Sequence, residues 1–85
     1  MTKDQLMELV IQEISDSEII RKSVKDRTIK DLKIALSNPA RALWFEVRNI
    51  LFQNRYSKIS KEEFFDWLVD THLHELVEEI NKEVT

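Results

Sequence analysis

None of the 85 residues is glycine. Backbone conformations and close approaches that only glycine readily allows are therefore closed to this chain. Phosphate-cradling loops, dinucleotide fingerprints and nucleophile elbows all depend on them, so most enzyme architectures lose ground at once. Cysteine is absent as well, which leaves no disulfide framework and no thiolate site. A chain this short must then be held by its packing, by a partner, or by both. Such usage suits a reducing cytoplasm. No run of about 18 apolar residues exists, and Met1 to Gln5 do not read as a secretory signal, so a cytoplasmic protein not embedded in a membrane is expected.

Apolar residues return at helical spacing almost throughout, with no repeat and no linker-like run. The reading is one all-α domain over residues 1–85, a small compact bundle of four to five helices with a long C-terminal helix. Thr2 and Gln5 have the spacing of a capping box, opening a helix whose stripe is Leu6, Leu9, Val10 and Ile14 and which should end near Ile14. Ser15 and Glu18 repeat that spacing ahead of a short helix bearing Ile19, Ile20 and Val24. A third helix, about Thr28 to Ser37, should bury Ile29, Leu32, Ala35 and Leu36. Asn38-Pro39 ends it and starts a fourth, running to about Arg55. Ser60 and Glu63, with Ile59 and Phe64 as a hydrophobic staple, open a fifth helix predicted to continue through Lys82. Its inner stripe would be Phe65, Leu68, Val69, Leu73, Leu76 and Ile80, with Trp67 off the stripe as a second exposed anchor.

The fourth helix has two faces. At about 100° per residue, Ala40, Leu43, Trp44, Val47, Ile50, Leu51 and Asn54 fall on one side and should face the core. Phe45 and Phe52 lie on the far side, beside Arg41, Arg48 and Arg55, which recur at a spacing of about seven and so run in a row. Either a neighbouring helix covers the rings and supplies acidic partners to the arginines, or the strip is exposed and binds a partner. Aromatic residues and arginine are the types enriched at binding hot spots.

Charge is segregated along the chain: residues 1–20 sum to −4, residues 21–61 to +8 and residues 62–85 to −7, for a net −3. The basic middle invites an acidic partner. A nucleic-acid alternative would use Arg21, Lys22, Lys25, Arg27, Lys30 and Lys33 with the three arginines of the strip on phosphates. A helix-turn-helix is poorly matched, because the turn lacks Gly and Thr28, Lys30, Asp31 and Lys33 do not form a base-reading pattern.

Catalytic chemistry finds no constellation. His72 and His74, about 200° apart on a helix, do not share a metal ion easily. His72 reads as a packing residue hydrogen-bonded by Glu75 or Glu79, and His74 as facing solvent. Glu75, Glu78, Glu79 and Glu83 share one helix rather than facing each other across a pocket. No enzyme activity, cofactor or metal is expected.

In general character, as a short acidic Gly-free helical chain rich in Ile, Lys, Glu and Asn, the sequence resembles small accessory proteins of T-even-type phages. That resemblance implies host takeover, anti-defence or lysis timing by binding. The expected function is therefore a regulatory or inhibitory protein. Its binding residues would be Arg41, Phe45, Arg48, Phe52 and Arg55, on a protein partner with an acidic, partly apolar surface. If the other helices do not reach the apolar edge at the end of the C-terminal helix, that edge either forms a homodimer or binds a partner helix; the alternative is that the N-terminal helix packs there.

Overall fold

Thr2 starts the first helix as its spacing foretells. Its Oγ1 accepts from the Gln5 N–H at 3.2 Å, while the Thr2 N–H donates to Gln5 Oε1 at 2.8 Å, closing the capping box. The computed structural model describes residues 1–38, 40 and 42–84, the side chains of Glu83 and Val84 excepted. Its elements are α1 (Lys3–Asp16), a 3-10 turn (Lys22–Val24), α2 (Lys25–Ser37), α3 (Trp44–Gln53), α4 (Lys61–Asp70) and α5 (Leu73–Val84). The fold is all-α. Among the described residues no helix is long and apolar enough to cross a membrane.

One apolar cluster holds these elements together. Leu6, Val10 and Ile14 of α1, Leu32 and Leu36 of α2, Val47 and Leu51 of α3, Phe64 and Leu68 of α4, and Leu73, Leu76, Val77 and Ile80 of α5 are all buried in it. The first helix packs chiefly on α5 and also on α2, and α2 packs on α3. Burying a large aliphatic or aromatic side chain is worth roughly 1.5–3 kcal/mol, which makes this cluster the main stabilising term.

The α1–α2 connection differs from expectation. Instead of restarting at Ser15, α1 runs on to Asp16, and Ser17 turns the chain by accepting the Ile19 N–H on Oγ at 2.9 Å. No short helix carries Ile19 and Ile20. Ile20 instead forms an isolated antiparallel bridge with Arg55. The Arg21 N–H donates to the Asn54 carbonyl at 3.2 Å and the Tyr56 N–H to the Ile19 carbonyl at 2.6 Å, clipping two loops together. Thr28 does not start α2. It is buried within the helix, its hydroxyl donating to the Val24 carbonyl at 2.7 Å.

The fourth predicted helix starts late. Pro39 lies outside the described residues. Asn38 Oδ1 accepts the Ala40 N–H at 3.1 Å, and Leu43 is extended, so α3 begins only at Trp44. The extended approach buries Ala42 completely and leaves Leu43 half exposed, contrary to its expected place in the core.

The long C-terminal helix is not one helix. Thr71 is extended (φ −88°, ψ 165°) and breaks it into α4 and α5. At about 100° per residue, Phe64 and Leu68 point in a direction roughly 150° from the mean of Leu73, Leu76, Val77 and Ile80. A straight rod cannot turn both faces to one core, and the corner reconciles them. With the phase of α4 set by Phe64, Val69 becomes 82 % exposed instead of joining the inner stripe. Trp67 is half-buried, 6.0 Å from the Phe64 ring, and so is no outlying anchor.

Candidate partner-binding site

Val47 and Leu51 turn α3 inward, and this decides where its other residues point. Phe45, two positions before Val47 and hence about 200° away from it, faces outward and is 62 % exposed. Arg48, three residues on from Phe45, lies on the same side. Its guanidinium carbon is 5.0 Å from the Phe45 ring centroid and 5.2 Å from that of Phe65 on α4. Lys61 Nζ lies 5.7 Å from the Phe65 centroid. Each such contact contributes about 0.5–1 kcal/mol at an exposed site and, more usefully, fixes the orientation of the cation. Among the described residues no carboxylate lies within ion-pairing distance of Arg48.

Behind Arg48 lies an open cleft of about 340 Å³ lined by Trp44, Arg48, Phe65, Leu68, Val69 and His74. The Trp44 ring meets His74 edge-on at 4.9 Å, and His74 Nδ1 lies 3.3 Å from Glu78 Oε1. Val69 forms an apolar lip. The α4–α5 corner creates this cleft, because it brings His74 beside α3 while Phe65 and Val69 stay on the outer side of α4.

The other expected strip residues behave differently. Phe52 is half-buried and packs edge-to-face on Phe64 at 5.1 Å. The Arg55 guanidinium carbon is 3.9 Å from the Phe52 centroid, while Nη1 donates to the Phe52 carbonyl at 2.9 Å and Nε to the Ile59 carbonyl at 3.4 Å. Phe52 and Arg55 thus brace the turn after α3, whereas Phe45 and Arg48 face outward. Arg41 lies outside the described residues. Sequence reasoning missed exposed Val69, and half-buried Phe65 as a wall of the cleft, because both are in phase with the buried stripe of α5. The one local sign of an interruption is the opposing phase of their neighbours Phe64 and Leu68.

The two histidines diverge. His72 is held not by Glu75 or Glu79 but by Glu13 of α1, whose Oε1 accepts the His72 backbone N–H at 2.9 Å and whose Oε2 lies 3.1 Å from Nδ1. A carboxylate at the start of α5 also suits the helix dipole. Among the described residues no three His, Cys, Asp or Glu side chains could together hold a metal ion.

The basic middle segment is divided too. Lys25 donates to the Ser15 carbonyl at 2.7 Å and Arg27 to Asn54 Oδ1 at 3.3 Å, while Arg21, Lys22, Lys30 and Lys33 are exposed. The chain is thus an all-α protein with an outward aromatic–arginine pair beside a shallow apolar cleft. No family model matches it, and no curated protein or solved structure is significantly similar to it.

Proposed function

We propose that this chain is a small binding protein that regulates or inhibits a protein partner by occluding or bracing it. It would dock an acidic, partly apolar surface on Phe45, Arg48 and the adjoining cleft. The observation that carries this reading is the state of Arg48: a guanidinium held between two phenyl rings, with no carboxylate among the described residues in reach. A partner carboxylate would find those donors already oriented, and Phe45, Trp44 and Val69 would bury apolar area around it. Phe52 and Arg55, both half-buried and held at the turn after α3, would meet the partner at the far end of the strip. The role of Arg41 as a third cation of the strip is part of the same proposal, as is an accessory role of the phage type.

The test is affinity capture from native lysate, with and without nuclease, comparing wild type with Phe45→Ala and Arg48→Glu variants shown to be folded by circular dichroism. A nuclease-resistant protein should be retained by wild type and lost by both variants. With the partner in hand, each change should weaken binding by about 2 kcal/mol, roughly thirtyfold. Material captured only while nucleic acid is intact would overturn this reading in favour of the exposed cations of residues 21–61. In that case affinity would fall steeply between low and moderate salt.

A further inference from the structure

The corner between α4 and α5 contains neither Gly nor Pro, so no residue in it forbids a helix. What holds it bent is a small set of contacts. Thr71 Oγ1 donates to the Leu68 carbonyl at 2.7 Å and accepts the Leu73 N–H at 3.4 Å. Glu13, which lies 59 positions away in sequence, takes the His72 N–H. In a continuous helix that amide would bond to the Leu68 carbonyl instead, so the Glu13 contact to it exists only while the corner is closed.

A second observation concerns Val69. Among the described residues it is the most exposed large apolar one, at 82 %. Counted at about 100° per residue, Phe65 and Val69 are in phase with Leu73, Leu76 and Ile80 and out of phase with Phe64 and Leu68. Straightening the corner would join half-buried Phe65 and exposed Val69 to the buried face of α5 as one uninterrupted apolar stripe. The α1 surface that α5 covers would then be open to the same helix from another molecule.

We propose that α5 is exchangeable between two copies of this chain: with Thr71–His72 helical, α4 and α5 form one rod whose α5 half docks on α1 of a second copy. Each copy recovers its α1–α5 packing from its mate, which is why exchange needs little new interface. The Phe65–Val69 stretch of each rod lies beside the two-fold axis and covers its counterpart. Because the closed corner also builds the cleft beside Arg48, whose lining includes Phe65, Val69 and His74, exchange and partner binding there would exclude each other; exchange is nevertheless read from the mass of the protein alone.

The experiment pairs two variants, refolded at millimolar concentration and measured by size exclusion with light scattering. Glu13→Ala/Thr71→Ala removes the contacts that hold the corner. Because each dimer opens two corners, losing about tenfold per corner should strengthen dimerisation on the order of a hundredfold. The expected mass is twice the 10.2 kDa of the chain. Isotope-filtered spectra of a mixed labelled and unlabelled sample should show α1–α5 contacts between molecules. Adding Val69→Lys should return the protein to monomer. A folded double variant that stays monomeric at millimolar concentration overturns the proposal, as does a dimer whose α1–α5 contacts are all internal. If the double variant does not fold, wild type refolded at the same concentration decides by the same spectra: intermolecular α1–α5 contacts support exchange, and monomer alone overturns it.

Discussion

Arg48 and Arg55 have the same spacing and side chain yet serve different ends. Arg55 donates to the Phe52 carbonyl at the end of α3 and to the Ile59 carbonyl beyond the turn, and covers Phe52, so it ties the 54–59 turn to the helix before it. Removing it leaves those carbonyls without their charged donor, and Arg55→Ala should cost about 1.5 kcal/mol of stability in urea unfolding. Arg48 touches only rings, and Arg48→Ala should stay within about 0.5 kcal/mol of wild type. The chemistry of the pair was legible in the sequence as a row of Arg beside Phe. The division of labour was not, because it depends on which carbonyls the turn after α3 leaves open. Asn54 shows the same limit. Its burial was foreseen from the helical phase, but its role as acceptor for Arg27, and through its carbonyl for Arg21, comes from chain segments far away in sequence.

Helices were readable where their signals are local. Thr2 with Gln5 and Ser60 with Glu63 set two starts within four residues of chain, and both are found in place. Ser60 Oγ accepts the Glu63 N–H at 3.1 Å, and Ser60→Ala should lower stability by about 1 kcal/mol, read from the urea midpoint at unchanged slope. The missed boundaries share a cause. The α4–α5 corner is stabilised by Glu13, on a helix at the other end of the chain, and α3 starts late because burying Ala42 requires an extended approach. The apolar spacing of residues 65–80 suited a single helix so well that only the opposing phase of Phe64 and Leu68 hinted at a break. The candidate site inherits this difficulty, since exposed Val69 and half-buried Phe65 line the cleft only because the break exists.

Fold class was legible because it rests on a property summed over the whole chain, namely helical periodicity without glycine. Arrangement was legible only as one of two covers for the C-terminal helix, the N-terminal helix or another molecule, and the packing of α1 on α5 joins the two ends of the chain. That closure makes the fold cooperative. A chain ending at His72 would expose Leu6, Val10 and Ile14 together, losing roughly 1.5–3 kcal/mol for each side chain returned to water. Total stability for a domain of this size is on the order of 4–13 kcal/mol, so the truncated chain should show little cooperative unfolding by circular dichroism. Among the described residues none has a positive φ, so the described loop residues adopt conformations open to any L-amino acid except where proline's missing amide matters. No described turn reserves its position for one residue type. Neutral drift in the loops is therefore filtered by contact and solvation rather than by stereochemistry, and this small protein can diverge quickly in sequence while its backbone keeps its course.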